Sequence, residues 1–211
     1  MANAWIAGST GLVGGALANA LARKAQHGQV NLLVRKNTAG SPLAILRQVP
    51  VDFERLDFDA QTGDDYFCAL GTTIKKAGSQ EAFRLVDETY VVRFAEIAKR
   101  QNARVLVIVS AVGADPLSPI FYNRVKGEME SKIRALGLRS VYVLHPSLLL
   151  GHRNEFRLGE KIAELAAPVL SPLLFGSFAK YRPVQADRVA VVAIECAAKA
   201  EPGFHIVEPV R

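Results

Sequence analysis

A chain of 211 residues, half of them hydrophobic and 22% charged, is long enough to bury a sizeable core in one domain and too apolar for intrinsic disorder. The net charge of +6 raises nucleic acid as a partner, but the basic residues come at most in pairs (Arg23-Lys24, Arg35-Lys36, Lys75-Lys76, Lys99-Arg100). With no basic run interleaved with aromatics, nucleic-acid binding is not expected.

The pattern along the chain alternates short apolar strands with helical segments, which predicts a doubly wound parallel sheet with helices on both faces, an α/β fold in one domain. Strands are expected at 4–7, 30–34, 49–52, 66–70, 105–110, 140–144 and 205–207, and helices at 12–24, 79–101, 122–136, 159–167 and 186–198. The apolar N-terminus has no basic residue before Arg23 and carries turn glycines, unlike a secretory signal. Helix 79–101 sets Phe83, Val86, Tyr90, Val91, Phe94, Ile97 and Ala98 at helical spacing, a core-facing stripe. Only a short helix fits between the third and fourth strands. The longest apolar stretch, 163–179, is broken by Glu164, Pro168 and Pro172, a poor membrane span, so a cytoplasmic location is expected.

Cys68 and Cys196 lack metal-like spacing and read as buried thiols. His27, His145, His152 and His205 form no ligand pattern, so no metal is expected.

The first strand runs into the turn Gly8-Ser9-Thr10-Gly11-Leu12-Val13-Gly14, where an amphipathic helix begins. A strand-to-helix glycine turn suits a dinucleotide. Gly8 permits the tight turn, Gly11 the approach of a pyrophosphate and Gly14 close helix–strand packing, while the helix N-terminus offers unpaired N–H groups to the phosphates. The second strand ends in Arg35-Lys36, and no acidic residue precedes Val51. An acid at that strand end selects a free ribose 2′-OH; a guanidinium holds a 2′-phosphate. NADP(H) is therefore favoured over NAD(H). Asp52-Phe53 follows the third strand and can meet the adenine; Asp57-Phe58 is a competing match.

Downstream, Tyr122 and Lys126 are four apart and share one helix face. A nearby ammonium favours a phenolate, so the tyrosine can give a proton to a carbonyl oxygen as hydride arrives, or take one in the reverse direction. Ser110 ends an apolar strand, which places it at the ligand-binding edge of a parallel sheet, where its hydroxyl can hold the substrate carbonyl.

These residues, together with Val51-Asp52-Phe53-Glu54, Leu70-Gly71-Thr72-Thr73, Lys76-Ala77-Gly78, Gly113-Ala114-Asp115, Val125-Lys126-Gly127-Glu128, His145 through Leu150 and Pro183-Val184, resemble a short-chain dehydrogenase/reductase. The resemblance covers nearly the whole chain and is to the atypical branch near the Tat-interacting-protein-like oxidoreductases. It implies a Rossmann-type fold in which Gly71, Thr72 and Thr73 line the cofactor, Pro146 and Ser147 border the nicotinamide, and Lys126 also bonds the nicotinamide ribose. Asp87 stands where the family's proton relay often has Asn.

The resemblance also places 151–183 over the nicotinamide end as a substrate lid. Its Leu165, Val169, Leu170, Leu173, Leu174, Phe175 and Phe178 must be covered by the domain's own core, a second subunit or an apolar ligand; the sharper of these expectations is an apolar pocket above Tyr122. The expected activity is NADP(H)-dependent oxidoreduction of a small, apolar carbonyl or alcohol by a monomer or homodimer. The rival is a nucleotide-binding regulatory module acting through protein partners. Nucleotide-sugar epimerisation is disfavoured, because the 65 residues after Pro146 are few for a large substrate domain.

Overall fold

The computed structural model describes residues 1–24, 26–37, 43–150 and 183–209. The helix expected at 159–167 and nearly all of the expected lid fall outside them. Seven parallel strands form one sheet: β1 (Ala4–Ala7), β2 (Val30–Val34), β3 (Leu46–Pro50), β4 (Asp65–Cys68), β5 (Val105–Val109), β6 (Ser140–Leu144) and β9 (Gly203–Val207), in the order β3-β2-β1-β4-β5-β6-β9. A separate parallel pair joins β7 (Leu149–Leu150) to β8 (Val184–Gln185).

The inner strands are apolar runs because both faces are covered. Alternate residues of β1 supply two cores. Ala4 and Ile6 face α1 (Leu12–Lys24) and α6 (Ala186–Lys199), meeting Leu17, Leu21, Val189 and Ala193. Trp5 and Ala7 face α4 (Tyr90–Arg100) and α5 (Phe121–Ala135), meeting Phe94, Ile97, Met129 and Ile133. This is the expected doubly wound arrangement. The order runs outward from β1 in one direction through β2 and β3 and in the other through β4, so the switch point lies at the carboxyl ends of β1 and β4.

Several elements differ from expectation. The third strand starts earlier, at Leu46, and ends at Pro50; as an edge strand pairing only β2, it tolerates a proline. The long helix expected at 79–101 is three pieces: α3 (Gln80–Arg84), capped by the Ser79 hydroxyl, then a π-helical turn (Leu85–Thr89), then α4. The wider turn displaces the apolar stripe, leaving Val86 half-buried and burying Asp87 and Glu88 instead. A one-turn helix, α2 (Ile74–Ala77), follows β4; it and the two-residue strands β7 and β8 are too short to carry a periodic signal.

Candidate functional site

The residues singled out from the sequence gather at the carboxyl edge of the sheet. Gly8 follows β1 with φ of +88°, and a side chain there would lie 2.5 Å from the Ala69 carbonyl. Gly14 brings α1 against the turn: a Cβ would stand 2.1 Å from the Gly8 oxygen. Gly11 donates its N–H to that oxygen at 3.0 Å and is exposed, as are Thr10 and, in part, Ser9 and Leu12; Val13 is buried beneath them. The first turn of α1 carries no acidic residue, so its positive end is left for an anion.

Arg35 and Lys36 stand exposed beyond β2. Asp52, also exposed, caps a 3₁₀ turn (Phe53–Arg55), its Oδ1 accepting the Glu54 N–H at 2.9 Å. Phe53 is buried, its ring 5.7 Å from that of Tyr90, while Arg93 donates to its carbonyl at 3.2 Å. Of the competing pair, Phe58 stacks on Trp5 at 4.6 Å inside the core and Asp57 pairs with Arg100 at 2.9 Å.

Beyond β4, Gly71 is exposed, Thr73 caps α2, and the Thr72 N–H donates to Asp87 Oδ2 at 2.8 Å. Asp87 Oδ1 meets Lys126 Nζ at 2.8 Å, with the two side chains only 1% and 3% exposed. Burial disfavours the Lys126 charge, but the Asp87 carboxylate and Tyr122 outweigh it and hold the ammonium above the usual lysine range. The neighbouring Glu88 pairs with Arg84 and Lys132, and Arg84 also pairs with Glu128, tying the π-helical turn to α5. Tyr122 is half-buried one turn before Lys126, its ring 5.5 Å from Phe83.

Ser110 follows β5 and is buried; its hydroxyl donates to Glu130 Oε1, which His145 Nε2 also meets, at 2.9 Å. Pro146 is buried and accepts the Val112 N–H at 3.0 Å, and Ser147 is half-buried beside it. Glu130 and His145 went unnoticed as functional candidates in the sequence. The signal for Glu130 was there: Tyr122, Lys126 and Glu130 recur every fourth residue along one helix face.

Two expectations follow from this packing. A Cβ at Gly127 would stand 2.2 Å from the Asp115 carbonyl carbon and the Pro116 nitrogen, backbone that cannot swing aside. Gly127→Ala should therefore cost about 1–3 kcal/mol of stability, read by urea denaturation. Second, burial pushes the Cys68 thiol up to about 12, against smaller lowering by the Leu70 backbone and Lys126. At pH 8 roughly one molecule in 10⁴ then carries the thiolate, so Cys68 should resist a thiol-specific disulfide reagent until the chain unfolds.

Among the described residues, two cavities of about 290 and 530 Å³ open at the opposite, amino edge of the sheet. His27, Asp65 and Arg104 border the first, and Gly63, Asn102 and Gly137 the second. They lie away from the glycine turn. No described helix is long and apolar enough to cross a membrane.

No family model matches the chain. Among curated proteins it is similar to "Protein FMP52, mitochondrial" of Candida albicans, at 32% identity over 94% of this chain and 89% of that one. It is also similar to "Protein HTATIP2" of Rattus norvegicus, at 37% identity over 75% of this chain and 67% of that one. Among solved structures, MoeE5 in complex with UDP-glucose and NAD superposes with a TM-score of 0.72 at 16% identity, covering 97% of this chain and 75% of that one. Bordetella bronchiseptica WbmH in complex with NAD+ superposes at 0.68 and 16%, covering 98% and 75%. The expected cytoplasmic location is corrected by these relatives: FMP52 proteins of several fungi are designated mitochondrial. With its glycine turn, its parallel sheet and relatives above 30% identity along most of their length, the chain belongs to the HTATIP2 and FMP52 family, an atypical branch of the short-chain dehydrogenases/reductases with a Rossmann fold.

Proposed function

We propose that the protein is an NADP(H)-dependent oxidoreductase acting on a small, apolar carbonyl or alcohol. The observation that carries this reading is Lys126: a buried ammonium, kept charged by Asp87, one helical turn from Tyr122 and at the sheet edge that holds the glycine turn. In support, Gly8 and Gly14 let β1, the turn and α1 pack backbone to backbone, as a dinucleotide-binding turn requires, and the end of α1 is free of acid. Solved neighbours hold NAD in the same fold.

Residues 8–14 would hold the pyrophosphate, Arg35 and Lys36 a 2′-phosphate, Asp52 and Phe53 the adenine side, and Gly71, Thr72, Thr73, Pro146 and Ser147 the nicotinamide half. When bound, the nicotinamide supplies or accepts hydride. Lys126 stabilises the Tyr122 phenolate and bonds the ribose; Tyr122 exchanges a proton with the substrate oxygen, and Ser110 completes the substrate side.

Titration of both cofactors by calorimetry tests the phosphate assignment. One charge-assisted contact is worth about 1.5–3 kcal/mol, so Arg35→Ala should weaken NADPH roughly tenfold to a hundredfold and leave NADH nearly unchanged. Equal loss for both cofactors would remove Arg35 from the 2′-phosphate site.

A further inference from the structure

Asp52 and Phe53 form the adenine side of the proposed cofactor site, but only the exposed Asp52 can face a ligand. Phe53 is 7% exposed, its ring in the core that Trp5 and Phe94 share. A base stacks on an open aromatic face, and this one is closed. The aromatic surface at this corner is Tyr90. It opens α4, half-buried, with its ring 5.7 Å from that of Phe53 and inclined by 33°. Three residues on along the same helix face, Arg93 donates to the carbonyls of Phe53 at 3.2 Å and Glu54 at 2.5 Å, so α4 grips the 3₁₀ turn beside Tyr90. The Tyr90 phenol also feels the charges of Glu54, Arg93, Asp52 and Arg35. Arg35 follows β2, and Asp52 and Glu54 follow β3, which puts the ring at the carboxyl ends of those two strands. Burial first, then Glu54, hold the phenol above its usual range, so it stays neutral and suits an uncharged base.

We propose that Tyr90 is a cofactor-binding residue, the platform on which the adenine lies, with Asp52 beside it and Phe53 supporting its ring from the core. This rests on the dinucleotide reading of the same site. Two tasks are thereby separated. Arg35 and Lys36 distinguish a 2′-phosphate from a hydroxyl, whereas Tyr90 meets the base, which NADPH and NADH share. A platform acts through its face and not through its hydroxyl. Phe53 and Arg93 fix the ring and the turn before a ligand arrives, so little order has to be gained on binding.

Calorimetry with adenosine 2′,5′-bisphosphate, NADPH and NADH tests this without a substrate. Tyr90→Leu keeps apolar bulk over Phe53 and removes the aromatic face. Each ligand should then bind about fivefold to a hundredfold more weakly, the usual worth of a base–aromatic stack. Tyr90→Phe keeps the face and should stay within about twofold of the wild type for all of them. In the wild type, NMR should show NOEs from the base protons of the bisphosphate to the Tyr90 ring, and these decide the matter should Tyr90→Leu not fold. Unchanged affinities in Tyr90→Leu, a loss in Tyr90→Phe as large as in Tyr90→Leu, or a bound base without NOEs to Tyr90 would overturn the proposal. A wild type that binds none of these ligands would overturn it together with the dinucleotide reading. Tyr90-dependent binding without reduction of any carbonyl would defeat the oxidoreductase reading and leave the assignment of Tyr90 standing.

Discussion

Tyr122→Phe should lose about 10²–10⁴-fold in turnover, the usual cost of removing a general acid, and keep its fold and its affinity for NADPH. The ring packs 5.5 Å from Phe83 and is half-buried, and phenylalanine preserves that contact. What disappears is the phenol proton of a residue one helical turn from a buried, charged Lys126. Oxidation of NADPH with a panel of carbonyl compounds, followed by absorbance, supplies the wild-type rate against which the variant is measured. Full activity in the variant would remove Tyr122 as the acid. A wild type that reduces no carbonyl but binds a protein partner only with NADPH present would favour the regulatory role instead.

The glycine turn was legible because its residue types answer local demands: a positive φ at Gly8 and backbone contact at Gly14 are conditions that few other residues meet. The strands were legible because inner parallel strands are continuous apolar runs, and Tyr122 with Lys126 because four-residue spacing fixes a helix face. The edge strand β3 was misplaced by three residues, its half-exposed Leu46–Pro50 lacking such a run. What the sequence hid depends on neighbours distant in the chain. Asp87 and Glu88 read as the polar face of a regular helix until the π-helical turn carries them inward. The Ser110–Glu130–His145 cluster exists only where the ends of β5 and β6 meet α5, and no spacing rule links those three residues. Phe53 was expected to meet the adenine beside Asp52; that its ring would be largely buried against Tyr90 depends on the 3₁₀ turn capped by Asp52, which the sequence did not show.

Asp87→Ala should destabilise the fold by about 3–5 kcal/mol, the range for breaking a buried ion pair from one side. The reason is Lys126: at 3% exposure its ammonium has no solvent to replace the carboxylate, and the Thr72 N–H loses its acceptor as well. Asp87→Asn should lose less, because the amide oxygen still accepts from Thr72 while only the charge is removed. Urea denaturation of the three proteins at pH 7 gives the order wild type, Asn, Ala. The pH dependence has a definite sign. Lys126 is raised in the folded state above its ordinary 10.5, so the pair's stabilisation is fully present below that value and fades as pH climbs through the folded pKa. The gap between wild type and Asp87→Ala should accordingly hold steady across neutral pH and narrow only under strongly alkaline conditions. An alanine variant with the wild-type urea midpoint would mean that Lys126 is not a buried cation, and the case for its tuning Tyr122 would fall with it.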